Sequence, residues 1–189
     1  MSLLAILLIL FLGGAAAWAS SLLHPRLPRW IASLSVVGAM LPLVTALGEP
    51  AASDGGWLLE YNLNWIPSLG IRFSLALDGL SALLVALTGF LGVVAISAAW
   101  NEIDERVGFF YFNLLWTLAG VVGVFIAVDL FLFFFFWEVM LIPMYFIIAI
   151  WGHENRRYAA TKFFLFTQLS GMLLLISILG LVYSYRLQS

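Results

Sequence analysis

An acidic residue, Glu138, lies inside one of the most apolar stretches of the chain, Leu130 to Trp151, and follows five phenylalanines and a tryptophan (Phe131, Phe133, Phe134, Phe135, Phe136, Trp137). Placing an acid near the middle of a membrane-spanning helix costs roughly 2.5 to 3.5 kcal/mol on insertion scales, so such a residue is a functional-site candidate in its own right. The chemistry it points to is proton exchange. Hydrocarbon penalises a carboxylate against its neutral acid, and a nearby cation reverses that preference. A plainer reading is a protonated acid that only makes a packing hydrogen bond between helices. At helical spacing Phe131, Phe134, Phe135, Leu141, Ile142 and Tyr145 share its face. Pro143 comes just over a turn later, lacks a backbone donor and presses on the carbonyl of Val139, so the helix is expected to bend or loosen beside the acid.

Other polar residues fall at depths where they could relay a proton. The last apolar segment carries Thr161, Lys162, Thr167, Gln168, Ser170 and Ser177, an unusually polar set for a helix that faces only lipid. Lys162 sits within a turn of the segment's start, where snorkelling to the headgroups competes with a relay role and is the simpler reading. Gln168 is deeper and is a possible relay. Asn113, Thr117 and Gly120 form one stripe of the fourth segment, suited to close helix packing or to a thin column of water, packing being the simpler. The two histidines, His24 and His153, fall in short loops, so no intramembrane bis-histidine haem fits. Glu102, Asp104, Glu105 and Arg106 have no metal-ligand spacing and read as a solvated loop.

Composition sets the solvent these residues meet. Hydrophobic residues make up 64% of the 189, charged ones 10%, and the mean hydropathy is +1.10, whereas soluble domains are about 45 to 50% apolar. This is an integral membrane protein. Its charges punctuate apolar runs of about 20 residues, the length of a helix crossing ~30 Å of hydrocarbon. Cysteine is absent, which rules out thiolate iron–sulfur or zinc sites built from this chain. A net charge of −2 without a basic tract excludes a nucleic-acid partner.

Six spanning helices are predicted, over residues 2–23, 30–47, 79–100, 109–128, 130–151 and 159–185, giving an all-α membrane fold read as a single transmembrane domain. Phe109 to Trp151 would be ~65 Å long as one helix, so the chain must turn, at Asp129, which then caps the next helix. Small residues at Gly13 to Ser20 suit a cleaved secretory signal, but no positive charge precedes the first apolar run, so that helix is expected to stay. Six basic residues (Arg26, Arg29, Arg106, Arg156, Arg157, Lys162) fall on one side and two (Arg72, Arg186) on the other. The positive-inside tendency therefore puts both termini, and the long loop from Glu49 to Leu77, outside the cytoplasm. Trp30, Trp100 and Trp151 gather at the cytoplasmic interface. In the loop Ile71, Phe73, Leu75 and Leu77 alternate with Arg72, Ser74 and Ala76 as a strand does. A hairpin with an arm near Trp57 to Trp65 and a turn at Pro67 to Gly70 is expected, followed by Asp78 as a helix N-cap.

Three segments carry a family likeness: Ser74 to Ser81 (SLALDGLS), Val128 to Gly152 (VDLFLFFFFWEVMLIPMYFIIAIWG) and Ala159 to Gln168 (AATKFFLFTQ). They resemble the antiporter-like subunits of respiratory complex I, nearest to the M-type subunits of bacterial NADH:quinone oxidoreductase. The resemblance implies an enzyme subunit without its own redox centre, a proton-translocating part of the membrane arm in a bacterial inner membrane. NADH, FMN, iron–sulfur clusters and quinone would belong to partner subunits, and its own partners would be the other membrane-arm subunits and the bilayer. In that family the glutamate of the fifth helix, matched here by Glu138, pairs with a lysine on the seventh, and quinone reduction elsewhere changes such pairs so that protons load from one side and leave to the other. The family runs to about fourteen helices in two inverted repeats. Six helices leave out that lysine, the central lysine of the eighth helix and the ionisable group of the twelfth, and cut the first repeat at its middle. The expectation is therefore an amino-terminal portion, with the remainder possible as a separate chain. A multisubunit sodium/proton antiporter or membrane-bound hydrogenase subunit is the alternative within transport, and a structural or inert fragment the alternative outside it.

Overall fold

The computed structural model describes residues 2–48, 57–66 and 71–188. Six helices form: α1 (Ser2–Ser20), α2 (Leu27–Leu47), α3 (Gly79–Ala99), α4 (Val107–Ile126), α5 (Leu130–Trp151) and α6 (Arg156–Gln188), with strands β1 (Leu59–Ile66) and β2 (Ile71–Leu77) between α2 and α3. All six are long and apolar enough to cross a membrane. In hydrocarbon no water satisfies backbone groups, so each segment must close its own hydrogen bonds as a helix. The six-helix expectation holds, with shifted ends. Helix α2 starts at Leu27 rather than Trp30 because Pro28 fits the first turn, where its missing donor costs nothing. Helix α6 starts at Arg156 rather than Ala159, and α1 stops at Ser20 rather than Leu23.

Helix α4 is the hub, packed against α1, α2, α3 and α5. Its inward row Tyr111, Leu115, Ala119, Val122 and Ile126 meets Leu3, Ile6 and Leu10 of α1 and Val36 of α2 in one core. Helix α5 lies on the outer side of α4, and α6 on the outer side of α5. Apolar burial gives helices no reason to associate in lipid, so close contact has to do it. The α4–α5 seam depends on two glycines. A Cβ at position 120 would lie 2.7 Å from Cβ of Met140 and 3.3 Å from its backbone, and one at position 123 would overlap the Phe136 ring.

One end of the bundle is tied by polar contacts between loops. Arg29 Nη2 donates to the Ile103 carbonyl at 3.0 Å and pairs with Asp104 at 3.4 Å. Trp151 Nε1 donates to the Glu105 carbonyl at 2.9 Å, and the Trp30 and Trp100 rings meet edge-on at 5.3 Å. Of the acidic cluster, Asp104 contributes its side chain to this tie and Glu105 its backbone carbonyl.

The opposite end carries the expected hairpin. Strands β1 and β2 pair antiparallel from Leu59↔Leu77 to Ile66↔Ile71, with an irregularity between Asn64 and Ile66. The turn expected at Pro67 to Gly70, and the loop before Trp57, lie outside the described residues. The far side of β2 takes up the α4–α5 connection: Leu75 bridges Ala127, and the Val128 amide donates to the Ser74 carbonyl at 3.1 Å. Trp65 meets Phe131 and Phe135 at 6.1 and 5.7 Å. Both predicted caps form. Asp129 Oδ1 accepts from the amides of Phe131 at 2.8 Å and Leu132 at 3.2 Å, and Asp78 with Ser81 makes a reciprocal capping box.

Hydrogen bonds from the Ser81 hydroxyl, and then from its amide, hold the Asp78 carboxyl below the ordinary carboxylate range. A depressed folded-state value adds stability above that range and loses it as pH falls through the folded value. The melting gap between the native protein and Asp78→Ala should be open at about pH 7 and close under strong acid. In the α4–α5 seam, Gly120→Ala should lower stability by about 1–3 kcal/mol in denaturant titration, because the backbone at Met140 has to move.

Candidate functional site

Glu138 is the ninth residue of α5, about 12 Å along the axis from Leu130 and about 20 Å from Trp151 at 1.5 Å per residue. That is membrane depth. The side chain is half-buried, and its Oε1 is enclosed with no hydrogen-bond partner among the described residues. Burying a polar atom unpaired costs about 1–3 kcal/mol, and among the described residues Oε1 makes no packing hydrogen bond between helices. Trp137 Nε1, Arg29 Nε and the Tyr111 hydroxyl are likewise enclosed and unpaired.

The carboxyl faces α6 at Gly171. A Cβ on that glycine would overlap Oε1 and lie 3.3 Å from Cδ of Glu138 and 3.9 Å from Cε2 of Phe134. Helices α5 and α6 run antiparallel from the same loop, and Gly171 lies about 22 Å into α6, level with the acid. Sequence reasoning passed over Gly171. Its signal was present: the residue follows Thr167 and Gln168 by four and three positions, so the three share a face.

The other candidates are distributed along α6. Gln168 is half-buried, about one turn from Gly171. Thr167 Oγ1 donates back to the Phe163 carbonyl at 2.7 Å. Lys162 is exposed, about 13 Å along the axis from Gly171, with Nζ 5.8 Å from the centre of the Tyr158 ring. The structure therefore brings Glu138 to Gly171 and leaves Lys162 near the loop end of α6. On α4, the Asn113 amide donates to the Phe109 carbonyl at 2.6 Å and the Thr117 hydroxyl to the Asn113 carbonyl at 2.9 Å. Their polar groups are used within their own helix, and Gly120 is used for packing.

Pro143 is buried within a continuous α5. Beside it, between α4 and α5, lies a cavity of about 270 Å³ lined in part by Asn113, Trp116, Val139, Ile142, Pro143 and Phe146. The carbonyl of Val139, whose usual helical donor Pro143 cannot supply, belongs to a residue of that lining.

Comparison with known proteins follows the same residues. The family described as NADH:quinone oxidoreductase/Mrp antiporter, transmembrane, matches residues 127–187, covering α5 and nearly all of α6. Subunit M of NADH-quinone oxidoreductase from Pseudomonas aeruginosa is 53% identical over 94% of this chain and 38% of its own length. This chain is similar to subunit M along nearly all of its own length. The structure is similar to a chain of respiratory complex I from Thermus thermophilus with bound NADH, with a TM-score of 0.75, 28% identity, and coverage of 95% of this chain and 35% of that one. A chain of the Mrp complex from Dietzia shares the fold at a TM-score of 0.79 and 20% identity, over 93% of this chain and 19% of that one. This chain thus spans well under half the length of the subunit M relative it matches.

If Glu138 carries no structural hydrogen bond, removing its charge should not weaken the fold. Glu138→Leu is expected to melt at or above the native temperature in detergent. A loss above about 1 kcal/mol, the worth of an ordinary hydrogen bond, would restore the packing role.

Proposed function

We propose that this chain is part of a proton-translocating membrane-arm subunit of an NADH:quinone oxidoreductase, in which Glu138 takes up and gives up a proton at membrane depth. The observation that carries the reading is Oε1 of Glu138, enclosed in mid-helix and lacking a hydrogen-bond partner among the described residues. An acid kept in hydrocarbon without a hydrogen bond has its proton occupancy governed by whichever charge comes near. The chemistry calls for a cation approaching the α5–α6 seam from helices beyond those here. The 38% coverage of the subunit M relative supports such helices, either in a longer chain or in a second polypeptide.

The residues then take roles by depth. Gln168, a turn from Gly171, is the nearer relay candidate, and Lys162 would serve at the loop end of α6, where a path to water begins. Pro143 and the cavity beside it give α5 freedom to bend next to the acid. Redox chemistry would reside in partner subunits holding NADH, FMN, iron–sulfur clusters and quinone. The polar loop end, with Arg29, Arg106, Arg156 and Arg157, would face the cytoplasm of a bacterial inner membrane, placing both termini and the hairpin outside.

A second reading is a subunit of a sodium/proton antiporter, supported by the family description, which names an Mrp antiporter beside the oxidoreductase. Sodium separates the two. In inverted vesicles, Glu138→Gln in the assembled complex should cut NADH-driven proton uptake at least about tenfold, corresponding to about 1.4 kcal/mol or more. Assembly should be intact. Unchanged uptake would leave the chain a scaffold, and sodium-dependent exchange without NADH would favour the antiporter.

A further inference from the structure

We infer that Gly171 is the positioning residue for the Glu138 carboxyl, forming a notch in α6 that holds the acid in the α5–α6 seam. This rests on the reading of Glu138 as a proton carrier.

Along α6 most neighbours of Gly171 are bulky: Met172, Leu173, Leu174 and Leu175 follow it directly. At Gly171 alone among these the side chain is a hydrogen, and it occupies the direction in which a Cβ would run into Oε1. Gly171 is buried, so the notch is closed by Glu138 itself. The contact is a C–H···O approach, far weaker than an N–H or O–H donor. That weakness suits a proton carrier. A strong donor from α6 would favour the ionised acid, and a larger apolar side chain would expel the carboxyl toward lipid. The glycine does neither, leaving proton occupancy to a partner charge while fixing where the carboxyl waits. Gly180, about two and a half turns on, has open space around it, so the notch is a local feature of α6 rather than a property of its glycines in general.

The test uses the full-length subunit in its membrane complex and two readouts. A hydrophobic carbodiimide attacks protonated carboxyls exposed to lipid, and its adduct on Glu138 is counted by mass spectrometry. Gly171→Ala should raise labelling at least about threefold by pushing the carboxyl out of the seam, whereas Gly180→Ala should leave it unchanged. In the second readout, proton uptake per quinone reduced should fall at least about threefold with Gly171→Ala in the native background. It should change by less than about 1.5-fold when Glu138→Asp is also present, because the side chain shortened by one methylene clears the added Cβ. Should Gly171→Ala block assembly, Glu138→Asp should rescue it on the same ground. Unchanged labelling together with equal losses in both backgrounds, or failed assembly in both, would overturn the inference. If labelling rises while Glu138→Gln leaves pumping intact, the notch stands and the proton-carrier reading falls.

Discussion

The approach of α4 to α5 across Gly120 and Gly123 fixes everything that follows it in the chain. Lipid gives two apolar helices no net reason to touch, so their separation is decided by how closely atoms can meet. With Met140 seated on Gly120 and Phe136 on Gly123, the rotation of α5 is determined on that side, and Glu138, lying between them in sequence, is directed to the other. At the hairpin end the same helix is held again by the Asp129 cap, the Ala127 bridge and the Trp65 contacts. Depth and rotation of the acid are therefore set by two independent devices. One works by shape within the hydrocarbon, the other by hydrogen bonds at its edge.

Much of this architecture was legible in the residues. Apolar runs separated by charges gave the helices, period-two alternation at Ile71 to Leu77 gave a strand, and Asp78 and Asp129 stood where caps must stand because backbone amides there lack helical acceptors. Helix ends were less legible, since Pro28 reads equally as a breaker or a starter until the following turn is known. The docking of the hairpin onto the α4–α5 connection was not legible, because pairing across more than fifty residues leaves no local trace. The acid was legible and its neighbour was not. Glu138 announces itself by cost, whereas Gly171 is one of sixteen glycines, and only the packing of α5 on α6 distinguishes it from Gly180.

Asn113 and Thr117 on one side and Glu138 on the other use their polar groups differently at membrane depth. Asn113 and Thr117 bond to carbonyls of their own helix, which spends their polarity locally and leaves smooth faces for packing. Glu138 has no such outlet for Oε1. The difference follows from geometry as well as type: a short amide or hydroxyl reaches the carbonyl four residues back, while a carboxylate has no proton to offer it. An ionised acid in this helix finds no donor among the backbone amides, which the helix already uses.

Helix α6 runs for 33 residues, 30 of them in its candidate span, about 45 Å of helix against ~30 Å of hydrocarbon. The surplus must be absorbed by leaning, by local thickening of the lipid, or by emergence at one end. Its one extensive neighbour among the described helices is α5, so leaning meets the least resistance. Any lean pivots Gly171 across the face of Glu138. With such a lean, the lodging of the acid would follow bilayer thickness, and lipid chain length would act mechanically on its surroundings.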